Sequence, residues 1–267
     1  MLHESEKVLE SLSNYIGKPN KTNCYLSYTQ LKKLLETDNV QIKFGQKGTY
    51  IFIEKEDYIE LLFFVQNIMD LFEERDFLRG ILPLNKKVII SIIEKDKKND
   101  KHEKIMEGLG FSLFKNYVRK KLKVNGKKWE VPINENICFA EANDIDVIQS
   151  MINITFDSIS DQIPSREELE QMIFQKQVWK YTSMDSLKGF LISERQGKKS
   201  YLRMLCIGSE YRGSGIGKRL LQEYIMSEYK YVDLFYLWVD GQNTKAIEMY
   251  EKQGYVSDGL EQYIYIH

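Results

Sequence analysis

Histidine is scarce in this chain. There are three in 267 residues, at His3, His102 and His267. That scatter argues against a histidine-based triad or a histidine-rich metal site, and no metal is expected. Cysteine is equally rare. Cys24, Cys138 and Cys206 are odd in number and far apart, so they fit neither a disulfide framework nor a zinc site. A reducing, cytoplasmic setting is the default reading. No run reaches the eighteen or so apolar residues of a membrane span. The opening "MLHESEKVLE" is charged and lacks the apolar core of a secretion signal. Excess charge is missing too: the formal net charge is −1.

What is present is the composition of a soluble globular protein, 43% hydrophobic and 29% charged. The length suits two domains of ordinary size or one large one. The charge divides unevenly: residues 1–130 carry 24 Lys+Arg against 19 Asp+Glu, and residues 131–267 carry 14 against 20. An acidic C-terminal half disfavours nucleic acid as its partner and suits a cationic acceptor, although ordinary solvated surface accounts for it as well.

The basic, aperiodic stretch "KLKVNGKKWEVPINEN" (121–136) marks the expected boundary. It divides the chain into residues 1–125, a linker at 126–136, and residues 137–267. In the last of these, "NICFAEA" reads as a strand and "NDIDVIQSMIN" as a helix capped at Asn143. "PSREELEQMI" opens with a capping box, Ser165 and Glu168. "QVWKYT", "LKGFLISE" and "SYLRMLCI" read as strands. A helix follows with Ile216, Leu220, Leu221, Tyr224 and Ile225 on one face. "VDLFYLWV" is a strand, "NTKAIEMYEKQG" a helix closed by Gly254, and "EQYIYI" a last strand. The order is β-α-α-β-β-β-α-β-α-β.

A repeat at a spacing of 144 links the halves. Val88, Asp96, Asn99, Lys101, Glu107 and Gly110 match Val232, Asp240, Asn243, Lys245, Glu251 and Gly254. In the first half "YIELLFFVQNIMDLFEER" reads as a helix after the run "TYIFIEKED", with no glycine between them.

Three glycines, Gly213, Gly215 and Gly217, stand at alternate positions in "YRGSGIGKRLL". Glycine is costly to order, so the cluster suggests a backbone that something must approach. A Walker loop is excluded: only three residues separate Gly213 from Gly217, and Arg219 stands where Ser or Thr would bind magnesium. The G-x-G-x-G spacing also departs from the dinucleotide fingerprint. Two readings stay open. One is a strand-to-helix turn with no ligand. In the other, outward-pointing amides at the helix start bind an anion, with Arg212 and Lys218 as countercharges.

"LCIGSEYRGSGIGKRLL" resembles the acyl-coenzyme A loop of the GNAT superfamily of N-acetyltransferases, and "LWVDGQNTKAIEMYEKQGY" resembles that family's other signature. The resemblance covers residues 137–267, and reaches 1–130 only through the repeat. It implies an α/β (α+β mixed sheet) fold with splayed central strands, preceded by a smaller, degenerate GNAT-like domain. It implies acetyl-CoA as cofactor. The carrier arm would lie along Leu205, Cys206 and Ile207, and its pyrophosphate in the amides of Gly213, Ser214, Gly215, Ile216, Gly217 and Lys218, with Arg212 beside it. Asn243, Ala246 and Tyr250 share one helix face. There Asn243 would bond the arm or cap the helix, Ala246 would keep the face low, and Tyr250 would protonate the leaving thiolate. Cys206 without a histidine partner reads as packing, not as a nucleophile.

A base is needed to deprotonate the amine. Glu194 is the expected one, with Asp157 and Asp161 as others, and Trp238 and Asp240 would line the acceptor pocket. The position matching Tyr250 in the first half is Met106, which has no proton to give. The expected partner is a small-molecule or peptide amine, with no nucleic acid and no membrane; a homodimer is compatible with all of this. A non-catalytic acyl-CoA-binding or scaffold protein, and a nucleotide-dependent enzyme, are the competing readings.

Overall fold

The structure is a computed structural model that describes residues 9, 12, 15, 21–95, 101–124 and 134–267. Most of the expected linker lies outside the described residues, as do the repeat positions Asp96 and Asn99. The chain forms two compact units. One comprises residues 1–116 and 259–267, the other residues 117–258. Among the described residues no helix is long and apolar enough to cross a membrane.

The first unit contains α1 (Tyr28–Leu35), β1 (Val40–Phe44), β2 (Gly48–Glu54), β3 (Tyr58–Val65), α2 (Met69–Glu73), α3 (Arg75–Ile81), β4 (Lys87–Lys95) and α4 (Lys101–Gly108). It also takes the start of β5 (Ser112–Lys123) and most of β11 (Val256–Ile266). Its strand order is β1-β2-β3-β4-β11. Neighbours are antiparallel except β3 and β4, which pair in parallel from Tyr58↔Lys87 to Glu60↔Ile89.

The stretch expected as one long helix is strand β3 followed by the short α2. The reason is burial on both faces. Leu61, Phe63 and Val65 enter the core built with Leu71, Leu78 and Met106, whereas Leu62 and Phe64 enter another with Leu9, Leu12 and Leu31. A strand covered on both sides reads as a continuous apolar run, which periodicity alone does not separate from a buried helix.

The second unit contains β6 (Ile137–Phe139), α5 (Ile145–Thr155), α6 (Arg166–Phe174), β7 (Val178–Ser183), β8 (Ser186–Gln196), β9 (Lys199–Ile207), α7 (Ile216–Glu228), β10 (Leu234–Asp240) and α8 (Thr244–Lys252). Tyr117–Lys123 of β5 completes its sheet, in the order β5-β10-β9-β8-β7-β6. The mixed sheet and the order of elements are those expected from the sequence. Ile216, Leu220, Leu221, Tyr224 and Ile225 are the buried face of α7, packed with Phe235, Leu237 and Tyr250. On the other sheet face, Ile148 and Ile152 of α5 and Leu169 of α6 pack on Phe190, Met204 and Cys206.

Ser165 and Glu168 form the expected capping box. Asn143 does not cap α5. It lies inside a 3-10 turn, Ala142–Asp144, where Asp144 accepts from the Glu141 N–H and from Lys180 Nζ.

The repeat is visible at the ends of α4 and α8. Gly110 and Gly254 both have φ of 90°. Phe111 N–H donates to Met106 O at 2.9 Å, and Tyr255 N–H to Tyr250 O at 3.1 Å. The strands before these helices are out of step with that spacing. Val88, Ile90 and Ile92 face the core in β4, but Phe235, Leu237 and Val239 do so in β10. The match of Val88 to Val232 is therefore offset from the register of the two strands.

Candidate acyl-carrier site

β9 and β10 pair in parallel only from Lys199↔Leu234 to Leu202↔Leu237. Both then run on, β9 to Ile207 and β10 to Asp240. Each stays paired on its outer edge, β9 with β8 and β10 with β5. The result is a fork between the two strands. Backbone alternation shows which groups face it. Gly208 N–H donates to Lys188 O, so Met204 and Cys206 bond toward β8, and Leu205 and Ile207 turn their N–H and C=O groups into the fork. On β10, Val124 N–H donates to Asp233 O, which by the same alternation turns Trp238 and Asp240 inward to the fork.

A β-bulge prepares this edge. Ile192 pairs with Met204, but Ser193 pairs with Leu202, leaving Arg203 as the extra residue. The side chains change faces there. Leu202 lies on the α7 face before the bulge, and Leu205 and Ile207 do so after it, whereas Met204 and Cys206 turn to α5 and α6. Cys206, expected along the carrier, is therefore a core residue. Its Sγ lies 3.4 Å from Thr155 Oγ1, and burial pushes its thiol pKa up.

The fork runs into the glycine loop. Gly213 and Gly215 have φ of 81° and 85°, a left-handed conformation that glycine adopts without Cβ strain. A Cβ at either would meet nothing within 4 Å. Local backbone geometry thus requires these two glycines, and the space beside them is open. Gly215 is the N-cap of α7. No side chain caps this helix and no acidic residue stands in its first turn. Its first N–H groups lack the intrahelical partners that later turns enjoy. Gly217 differs: a Cβ there would lie 3.5 Å from Met249 Sδ and 3.6 Å from Ile207 Cγ1, so α7, α8 and the end of β9 meet at this point. Lys218 is exposed. Arg212 is turned back, its Nε donating to Ile207 O at 3.1 Å.

Tyr250 lies in the cluster that holds Leu205, Ile207, Ile216 and Ala246. It is 6% exposed, and its ring stands 5.8 Å from that of Tyr255. Burial raises its pKa well above that of a free phenol. Asn243 caps α8, with Oδ1 accepting from Ala246 N–H at 3.2 Å.

Glu194 is on the opposite sheet face. It pairs with Tyr201, whose ring stacks on Tyr236 at 5.0 Å, and Tyr236 alternates with the core residues Phe235 and Leu237. Arg203 Nη1 donates to Glu194 Oε1 at 3.0 Å, and its Nε and Nη2 donate to Gln162 O. Tyr117 Oη donates to Asp161 Oδ1 at 2.7 Å. Asp157 Oδ1 accepts from the N–H groups of Ile159 and Ser160, holding its own loop. Arg119 binds Asp258 through Nε and Nη2 and lies over the rings of Tyr236 and Trp238. The structure thus brings Tyr250 together with the fork and the glycine loop, and puts the candidate carboxylates on the other face. Sequence reasoning missed Arg203, Tyr117 and Arg119. The signal for Arg203 is the switch of apolar phase along "YLRMLCI"; for the other two no local signal exists.

Residues 148–264 match the family model described as an acetyltransferase (GNAT) domain. No curated protein is matched by the sequence. Among solved structures, a GCN5-related N-acetyltransferase from Sphaerobacter thermophilus aligns with a TM-score of 0.60 at 16% identity, over 91% of this chain and 86% of that one. A tandem GNAT protein from the clavulanic acid biosynthesis pathway aligns with a TM-score of 0.60 at 8% identity, over 99% and 94%. A GNAT-family acetyltransferase from Colwellia psychrerythraea aligns with a TM-score of 0.55 at 11% identity, over 100% and 96%. Residues 148–264 are thus similar to a GNAT acetyltransferase domain, and the chain along its length has the fold of solved GNAT proteins, a tandem one among them.

Proposed function

We propose that the second unit transfers an acyl group, acetyl in the first instance, from a coenzyme A thioester to a primary amine of a small molecule or peptide. The observation that carries this reading is the continuity between the β9–β10 fork and the uncapped start of α7. The inward-facing backbone groups of Leu205 and the inward N–H of Ile207 fit an amide-bearing arm. The open space at Gly213 and Gly215, and the first-turn N–H groups from Ile216 to Lys218, fit a diphosphate; a helix N-terminus adds about 0.3–1 kcal/mol for a negative charge. The bound thioester supplies an activated acyl carbon and a thiol leaving group.

The chain's own residues would then act as follows. An inward N–H at Leu205 or Ile207 is placed to donate to the carbonyl oxygen as charge develops on it. Tyr250, kept protonated by burial, gives its proton to the departing sulfur. Glu194, which pairs with Tyr201 two residues before the bulge, takes the amine's proton through water, with Arg203 positioning its carboxylate. The burial of Tyr250 and the salt bridge on Glu194 also favour a second reading, a carrier-binding protein without turnover. Free-thiol release from acetyl-CoA with a panel of primary amines separates the two. Amine-dependent release is expected. Calorimetric CoA binding with no release for any amine would instead support binding alone.

A further inference from the structure

The first unit has a fork of its own. β3 and β4 stop pairing at Glu60↔Ile89, and run on to Val65 and Lys95. Their outer edges stay paired, β3 with β2 and β4 with β11. Lys55 N–H donates to Tyr58 O, so the even-numbered residues of β3 bond to β2, and Leu61, Phe63 and Val65 face the fork. Val88 and His267 exchange both backbone bonds, so by the same alternation Ile93 faces the fork from β4.

Here the inward groups are taken. Val65 N–H donates to Lys21 O at 2.8 Å. Phe63 N–H donates to Asn23 Oδ1 at 2.8 Å, and Asn23 Nδ2 donates to Leu61 O at 2.9 Å. Across the fork, Ile93 N–H donates to Tyr25 Oη at 2.6 Å. Thr22 bridges to Phe64 in antiparallel fashion. Thr22 and Asn23 are only 1% and 3% exposed. A side-chain amide thus satisfies a strand's N–H and C=O together, and a phenol two residues later reaches the facing strand.

We infer that Lys21–Tyr25 is a built-in occupant of the first unit's fork, so that this fork is closed to an acyl carrier and the chain holds one carrier site. The closure stands on the bonds just described; its meaning for the carrier rests on the function proposed above. Opening the fork would strip partners from buried backbone groups, which is costly unless a ligand replaces each one. In the second unit, by contrast, no strand among the described residues pairs with the inner edges of β9 and β10 beyond Leu202 and Leu237.

Amide-resolved hydrogen exchange on the full chain, with and without CoA, tests this. In the absence of CoA the Phe63 and Val65 amides should be protected. Asn23→Ala should speed exchange at Phe63 by roughly tenfold, the order expected for one lost buried hydrogen bond, and leave Leu62 and Phe64 unchanged. Tyr25→Phe, at a half-exposed side chain, should speed exchange at Ile93 and keeps the test valid if Asn23→Ala does not fold. CoA should bind one per chain and leave Phe63 and Val65 unaltered. Unprotected Phe63 in the wild type, a stoichiometry of two, or new protection at Phe63 with CoA would each overturn the inference. If CoA produces no heat, the proposed transferase fails, and exchange at Phe63 and Ile93 without CoA still decides whether the fork is closed.

Discussion

In the proposed function Tyr250 serves packing and chemistry together. Its ring belongs to the core beneath the fork, and burial holds its proton through the neutral range. Tyr250→Phe removes the hydroxyl and keeps the ring, so the core should survive with little loss. We expect kcat for acetyl transfer to fall by about 10²–10⁴-fold, the usual worth of a positioned acid, with CoA affinity within about twofold of wild type. Steady-state kinetics and calorimetry measure both. A parallel loss of turnover and affinity would assign Tyr250 to packing alone. Cys206 has the opposite character: it is buried against α5 and α6, on the sheet face away from Tyr250.

At the level of the element, the three glycines of the α7 start have different reasons to be there. Gly215 sits in a left-handed conformation, so Gly215→Ala should cost about 1–2 kcal/mol. Gly217 lies within α7, and a Cβ there makes ordinary contacts with Met249 and Ile207. Gly217→Ala should therefore stabilise by about 0.5–1 kcal/mol through helix propensity. Thermal denaturation should move in opposite directions for the two variants. A common direction would contradict the loop geometry. Gly215→Trp adds bulk to the open space beside the helix start and should abolish CoA binding.

On the scale of the whole molecule, each unit needs chain from the other half of the sequence. Tyr117–Lys123 pairs with β10, and Leu260–Ile266 pairs with β4. A fragment of residues 134–267 would lose Leu122 from the α7 core and leave Leu260–Ile266 without its partner strand. Isolated apolar strand edges of this kind associate. We expect that fragment to lack a cooperative melt by circular dichroism and to bind no CoA. A two-state melt with retained binding would show that the exchanged strands are dispensable.

The elements from residue 137 onward were legible because their signals are local. Ser165 and Glu168 cap a helix, Gly254 ends one, and the apolar phase of Ile216–Ile225 picks out a buried face. The glycine turn at Gly213–Gly217 was legible for the same reason, whereas Tyr250 was named from the family resemblance. β3 was not, since burial on both faces erases its alternation. Glu194 could be named but not its engagement by Arg203, which depends on a bulge in β9. The amino-acid order by itself determined which segments from residue 137 onward become helices and strands and where the left-handed glycine turn opens α7. Only the tertiary structure decided where β9 leaves β10, which backbone groups turn inward, and that Asn23 and Tyr25 fill the corresponding gap in the first unit. Those outcomes depend on strand edges meeting across long separations in sequence, as where Val88 meets His267, and no local pattern encodes which edge finds which partner.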